Sequence, residues 1–327
     1  MQQMRQWWIV PGPVGGVAEL RTVFVPDPGP GQVLVQITAT GTSRGTLIGG
    51  ATLRSDNPNA KPSPTGNEFA GRIAALGDRV HGWDVGTRVM GRGGACHAEY
   101  TVVDAAALMP VPEALSDVEA AAIPNVFVTA HNAMVTAAHL TGADSVLITA
   151  GSSGVGTAAV QIARHLGCGT ILASTRSPAK AEALMALGAT GVVDTSKDGW
   201  PDAMVEQHGT VDVVIDQVGG GLFPGLLRVM SLKGRYVSVG RNDGGKAEID
   251  LDFLARQRLQ LIGVTFRTRT SAEILACSKA FTDDLLQAFA TGSLKPVLDR
   301  SFTFEDLPDA HAYMISNQQF GKIMLTL

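Results

Sequence analysis

The stretch Thr149-Ala150-Gly151-Ser152-Ser153-Gly154-Val155-Gly156 constrains the fold more than any other part of the chain. It follows the apolar run Ser145-Val146-Leu147-Ile148-Thr149 and precedes a helical stretch, Thr157 to Leu166, that Gly167 stops. A glycine-rich turn between a buried strand and a helix is the context in which G-x-G-x-x-G binds a dinucleotide. Gly151 and Gly156 fill the outer places of that pattern, Ser153 stands in the middle one and Gly154 lies beside it. The chemistry asks for a tight turn at Gly151, bare backbone near the pyrophosphate and close helix–strand packing at Gly156. The helix N-terminus beyond offers N–H groups and a positive dipole end to phosphate. A serine in the middle place narrows the gap slightly, and Gly154 relieves it. Gly151, Ser152, Ser153, Gly154, Val155 and Gly156 are therefore expected to bind cofactor. The G-x-S-x-G elbow of hydrolases is not met, because Val155 stands two places after Ser153.

Nucleotide choice is read further on. NAD binders carry an acidic residue about 20 positions past the glycines to hold the ribose 2′-hydroxyl. Here the place is taken by Ser174-Thr175-Arg176-Ser177, with Lys180 one helical turn on and no carboxylate. A guanidinium fork and an ammonium favour a 2′-phosphate. A cation gains nothing from a helix start on its own account. The expected cofactor is NADP(H), held in part by Thr175, Arg176 and Lys180.

Around that turn, apolar strands alternate with helical stretches: Thr170 to Ala173, Gly191 to Val193, Val211 to Ile215, Arg235 to Val239 and Leu259 to Val264. Ser177-Pro178 reads as a capped helix start and Gly188 as that helix's end. Such alternation predicts a doubly wound parallel sheet covered on both faces. The first third differs, with short runs such as Val33 to Ile37, Phe69 to Leu76 and Tyr100 to Val103 punctuated by Gly and Pro. That is an all-β pattern, read as a small irregular barrel. Ser116 and Glu119 form a capping box where the texture changes. The tail, with a helix over 272–290 and a last strand Lys322 to Leu327, is too short to fold alone and is expected to return to the β domain. The 327 residues thus divide into 1–120, an inserted 121–266 and a return segment 267–327.

Composition excludes several classes. With 45% apolar and 17% charged residues the chain is not a solvated disordered one. No stretch reaches the ~18 apolar residues of a membrane span, and MQQMRQWWIV lacks the features of a secretory signal. Three single cysteines, Cys96, Cys168 and Cys277, give neither a disulfide framework nor a metal pair. A cytoplasmic location is expected. The net charge of −4, without a basic block, speaks against nucleic acid.

Specific stretches carry a resemblance: Pro64-Thr65-Gly66-Asn67-Glu68-Phe69-Ala70-Gly71, Gly86-Thr87-Arg88-Val89, Ala98-Glu99-Tyr100, Asp216-Gln217-Val218-Gly219-Gly220, Gly234-Arg235-Tyr236-Val237 and Gly321-Lys322-Ile323. With the discontinuous layout, the chain resembles the medium-chain dehydrogenases/reductases over nearly its whole length. The resemblance implies an α/β fold in which a Rossmann domain is inserted in a GroES-like β-barrel catalytic domain. Where zinc members carry a Cys, a His and a Cys, this sequence has Ser43, Asn67 and Asn125, none of them a ligand zinc prefers. The Cys-rich loop of the structural zinc is missing, since Gly91-Arg92-Gly93-Gly94-Ala95 runs straight on. No metal is expected, and the chain resembles the zinc-independent quinone oxidoreductase (zeta-crystallin-like) branch. Pro296 to Arg300 and Phe266 to Arg269 are similar to stress-inducible quinone reductases of that branch. Its active-site asparagine is Ser43 here, followed by Arg44. The resemblance further implies cofactor contacts at Thr195, Val218, Gly240, Phe266 and Arg267. For Lys322 two readings stand open, the nicotinamide ribose or an exposed surface.

The chemistry so implied is hydride transfer from a reduced nicotinamide to a quinone or an α,β-unsaturated carbonyl. The charge arriving on a carbonyl oxygen needs donors. Ser43, Arg44, Asn67 and Asn125 are the expected catalytic residues, with Thr129 on the nicotinamide side. Ketone–alcohol exchange needs a Lewis acid or a Tyr-type acid, and neither is read here. Enoyl-thioester reduction is the runner-up. That branch typically carries a Tyr in the loop after the Ser43 region, and residues 44–66 contain none. A non-enzymatic NADPH-binding protein is the third reading. Cys96-His97, His131 with His139 on one predicted helix, and Trp7-Trp8 are read as structural, and Leu184, Met185 and Leu187 as helix core. The edge strand Leu259 to Val264 predicts a homodimer with a continuous sheet.

Overall fold

The computed structural model describes residues 2–12, 15–44 and 61–327. The described chain forms two units, Met1–Asn125 with Ala272–Leu327, and Val126–Ser271. The divisions expected after residues 120 and 266 each lie five residues before these boundaries.

In the first unit, β1 (Gln3–Gly12) and β2 (Gly15–Phe24) form an antiparallel hairpin paired along its whole length. β3 (Gln32–Gly41) follows a turn in which Gly31 takes a positive φ of 78°. Its alternation is that of a strand with one buried face: Val33, Val35, Ile37 and Ala39 point inward. β4 (Ser63–Pro64), β5 (Glu68–Leu76), β6 (Arg88–Arg92), β7 (Tyr100–Asp104) and β8 (Met109–Pro110) follow. The short α1 (Asp117–Ala121) starts on the full capping box of Ser116 and Glu119.

The second unit opens with α2 (Val126–His131), which widens into a π-helical turn, Asn132–Ala137. Then come β9 (Ser145–Ile148), α3 (Gly154–His165), β10 (Thr170–Ser174), α4 (Ala181–Leu187), β11 (Gly191–Val193), α5 (Trp200–His208), β12 (Val211–Asp216), α6 (Phe223–Arg228), β13 (Met230–Ser238), α7 (Leu251–Gln257) and β14 (Gln260–Gly263). All six strands are parallel, in the order β11-β10-β9-β12-β13-β14. In the unit's own strand count this is 3-2-1-4-5-6, the Rossmann order, whose ligand crevice lies at the carboxyl ends where the order reverses. The reversal is at β9, between β10 and β12. Val146, Leu147 and Ile148 of β9 are completely buried, as a strand covered on both faces must be.

The chain then returns to the first unit through α8 (Ser271–Ala290), β15 (Leu298–Thr303), α9 (Leu307–Ile315) and β16 (Lys322–Thr326). β16 pairs antiparallel with β3 and parallel with β15, completing a sheet of order β15-β16-β3-β5-β6-β8 with β7 also on β3. Trp7 packs with Phe304, Leu307, Met314 and Leu325, and its Nε1 donates to the Phe304 carbonyl at 2.8 Å.

Three local readings are corrected. Ser177 makes no side-chain cap; it precedes a 3₁₀ turn, Pro178–Lys180, and α4 starts only at Ala181. Met185 is 46% exposed while its neighbour Leu184 is fully buried, so α4 presents only a narrow stripe to the core. His139 does not share a helix with His131: the helix ends before it and His139 takes a left-handed φ of 52°. Among the described residues no helix is long and apolar enough to cross a membrane.

Candidate active site

In the second unit the turn after β9 has the close packing its glycines imply. A Cβ on Gly156 would stand 2.3 Å from the Ala150 carbonyl oxygen, and one on Gly151 2.8 Å from the Ala173 Cβ. Ser153, in the middle place, is the N-cap of α3: its Oγ accepts from the Gly156 N–H at 3.0 Å and donates to the Gln217 Oε1 at 2.9 Å. Behind it, at the carboxyl end of β12, the buried Asp216 accepts from the Thr149 hydroxyl at 2.8 Å, the Val218 N–H at 2.9 Å, the Gly219 N–H at 3.0 Å and the Tyr236 hydroxyl. Burial, and then the Asp216 charge, push the Tyr236 phenol well above its ordinary range, so it stays a donor. Thr149, Asp216, Gln217 and Tyr236 escaped sequence reasoning. The signal available was a polar pair, Asp216-Gln217, at the end of an otherwise apolar parallel strand.

The end of β10 holds Ser174, whose Oγ accepts from the Ala150 N–H at 3.3 Å, and Thr175, whose Oγ1 accepts from the Ser177 N–H at 3.1 Å. Arg176 beyond them is exposed and Lys180 half-buried. Val218 and Gly240 meet around Gln217: a Cβ on Gly240 would come within 2.3 Å of the Gln217 carbonyl oxygen, and the Val218 carbonyl accepts from the Asp243 N–H at 2.9 Å. Phe266 lies under the Arg269 guanidinium at 4.8 Å, and Arg269 donates to Asn132 at 2.8 Å, which ties the loop after β14 to the π-helical turn behind Thr129. Arg267 is exposed. Thr195 follows β11, two strands from β9.

In the first unit, a buried ion pair joins Lys322 to Glu68, beside the chain positions of Ser43 and Asn67 and in contact with the Asn125 backbone. The Lys322 Nζ also donates to the Thr42 carbonyl at 2.7 Å, next to Ser43. Glu68 follows Asn67 directly, and its Oε2 accepts from the Asn125 N–H at 2.9 Å. A Cβ on Gly41 would stand 2.5 Å from a Glu68 oxygen, so the strand runs close against the pair. The exposed reading of Lys322 is thereby overturned: at 3% exposure its charge is tolerated only because Glu68 neutralises it. Arg44 donates to the Met314 carbonyl at 3.0 Å and to Asn317, at the C-terminal end of α9, where a cation suits the helix dipole.

His97 secures the same loop. It is fully buried, and its Nε2 lies 3.1 Å from the Gly41 carbonyl, which fixes Nε2 as the donor. Its Nδ1 has no hydrogen-bond partner among the described residues. Burial, with the nearby His311 and Lys322, pushes the ring down to about 3, and burial pushes His311 down to about 4. Both imidazoles are neutral near pH 7. Burial pushes the Cys96 thiol up to about 12, so it is no nucleophile.

Residues 154–280 match the zinc-binding dehydrogenase family, and residues 29–113 the alcohol dehydrogenase GroES-like domain. An alcohol dehydrogenase superfamily protein from Novosphingobium aromaticivorans superposes with a TM-score of 0.87 at 31% identity, covering 99% of each chain. The chain belongs to the medium-chain dehydrogenase/reductase superfamily. Its second unit has the strand order and the glycine-rich turn of the Rossmann fold. Among the chain's relatives is the quinone oxidoreductase-like protein 2 of Bos taurus, 29% identical over 81% of this chain and 77% of that one. The CurK enoyl reductase superposes with a TM-score of 0.85 at 25% identity, covering 99% of each chain. The spectinabilin polyketide synthase system protein NorB of Streptomyces orinoci is 32% identical over 98% of this chain, which spans only 14% of NorB. The zinc of the family's description does not fit here. Ser43, Asn67 and Asn125 offer a hydroxyl and two amides, and among the described residues no group of three His, Cys, Asp or Glu could hold a metal ion.

Proposed function

We propose that this dehydrogenase/reductase uses NADPH to reduce a quinone or an α,β-unsaturated carbonyl without a catalytic zinc. One observation carries the reading: the three positions that hold zinc ligands elsewhere in the family bear neutral hydrogen-bonding side chains, and the Glu68–Lys322 pair beside them bonds the Thr42 carbonyl and the Asn125 N–H. Reduced nicotinamide, when bound, supplies the hydride. The Ser43 hydroxyl, the Arg44 guanidinium and the Asn67 and Asn125 amides then donate to the oxygen on which negative charge develops, a role that needs fixed donors rather than a metal. Thr129 lies on the nicotinamide side. The Gly151–Gly156 turn takes the pyrophosphate, and Arg176 with Lys180 takes the 2′-phosphate, since the end of β10 offers no carboxylate for a 2′-hydroxyl. Val218, Gly240, Phe266 and Arg267 line the rest of the dinucleotide. Similarity to a quinone oxidoreductase-like protein supports the acceptor class.

Enoyl-thioester reduction is the second reading, favoured by the likeness to the CurK enoyl reductase and to a segment of a polyketide synthase system protein. Turnover of quinones, simple enones and trans-2-enoyl thioesters with NADPH and with NADH separates the two. The first reading expects quinone or enone reduction with NADPH at the highest kcat/KM. Faster enoyl-thioester turnover establishes the second, and NADPH binding without turnover of any acceptor leaves a binding protein.

We also propose a twofold dimer through β14. It is the outer strand of its sheet, and Leu261 is 45% exposed there.

A further inference from the structure

Ser153 departs from the glycine that the dinucleotide pattern wants in the middle of the turn, and the structure shows what accommodates it. Gln217, at 5% exposure, spends both ends of one amide on this turn. Its Oε1 accepts from the Ser153 hydroxyl at 2.9 Å and its Nε2 donates to the Thr149 carbonyl at 2.9 Å. Its backbone is fixed as well: the N–H donates to the Thr149 Oγ1 at 2.8 Å, and the carbonyl accepts from Asn242 at 2.9 Å. Gln217 thus grips the residue before the turn and the residue that caps the helix after it.

The grip decides which donors remain for an anion. The Gly151 and Ser153 N–H groups go to the Ser174 and Ala150 carbonyls, and the Gly156 N–H goes to the Ser153 Oγ. Among the described residues no acceptor takes the N–H of Gly154 or of Val155. These are the first two groups of α3, whose N–H bonds an α-helix leaves open. With its proton committed to Gln217, the Ser153 hydroxyl stays turned into the protein.

We propose that Gln217 is a positioning residue for dinucleotide binding, holding the serine-bearing turn in the one conformation that leaves the Gly154 and Val155 N–H groups to the pyrophosphate. The inference rests on the dinucleotide reading given above. Without Gln217, Ser153 swings toward the space the phosphate needs. With glycine at 153, Gln217 has nothing to hold there.

A double-mutant cycle on the full-length chain tests it, with NADPH as the probe, its dissociation constant measured by calorimetry, and thermal melting as the control for folding. Gln217→Leu is expected to weaken NADPH binding roughly ten-fold, the scale of a pair of buried hydrogen bonds. In a Ser153→Gly background the same change is expected to cost less than about three-fold, a rescue that a general structural role would not give. If Gln217→Leu does not fold, Gln217→Met replaces it in both backgrounds, because it keeps the length but has neither the amide oxygen that accepts from Ser153 nor the amide N–H that donates to the Thr149 carbonyl. Binding by a folded variant within two-fold of the wild type, or penalties that simply add in the cycle, overturns the inference alone. A wild-type chain that binds neither NADPH nor NADH overturns the dinucleotide reading and the inference with it.

Discussion

Lys322 and Glu68 stand 254 positions apart in the chain and form an ion pair sealed from solvent, their side chains 4% and 1% exposed. Removing one partner leaves an uncompensated buried charge. Lys322→Met and Glu68→Leu are each expected to cost about 3–5 kcal/mol in urea unfolding. The double variant Lys322→Met/Glu68→Leu is expected to recover most of that loss, because an apolar pair of similar volume carries no desolvation penalty. Equal and additive losses in the cycle would show that the two side chains do not act as a pair.

Arg176 is proposed to read the nucleotide. Because its guanidinium is exposed at the end of β10, Arg176→Ala is expected to fold normally. NADPH affinity is expected to fall roughly ten- to hundred-fold while NADH affinity holds, the scale of a charge-assisted contact to phosphate. An unchanged ratio of the two affinities sinks the 2′-phosphate assignment.

The buried imidazoles set a pH limit. His97 and His311 are held down to about 3 and about 4, against an ordinary value of 6.5. Between those values and about pH 6.5 the unfolded chain binds protons that the folded chain refuses, so stability falls as the pH is lowered through that window. Near pH 5 the pair is expected to add about 2 protons taken up on unfolding, a slope on the order of 2–3 kcal/mol per pH unit. Urea midpoints from pH 7 to pH 4.5 check this against His97→Gln/His311→Gln, which is expected to flatten the acid limb. Parallel acid limbs in the two proteins would rule it out.

The proposed dimer makes its own demand. In sedimentation at micromolar concentration the wild type is expected to run as a dimer and Leu261→Lys as a monomer, since a charge on an edge strand opposes pairing. A monomeric wild type would overturn the proposal.

The architecture was largely legible in the sequence. The switch from period-two runs to β-α alternation gave both fold types, and the strand–turn–helix around Gly151 located the dinucleotide half, because these signals are local. What escaped depends on contacts between distant residues. Lys322 reads as an ordinary lysine until β16 is laid beside β3 and meets Glu68. His97 looked incidental because its partner is a backbone carbonyl, at Gly41. Gln217 entered only as part of the Asp216–Gly220 stretch, because its partner Ser153 lies 64 positions away and only the pairing of β9 with β12 brings the two together. Ser177 misled in the other direction, since a Ser-Pro pair suits a 3₁₀ turn as well as a helix start.

The threading of β16 onto β3 also fixes an order of events at the ribosome. The second unit is complete as a stretch of chain once residue 271 has emerged, and its strands all lie within that stretch. The first unit, begun earlier, still lacks the strand that lies against β3. Until the final segment arrives, the Ala39–Gly41 end of β3 lacks its partner strand and Trp7 lacks the Phe304, Leu307 and Leu325 side chains that cover it, the kind of surface on which nascent chains stick to one another. The unit begun first is therefore the last to close.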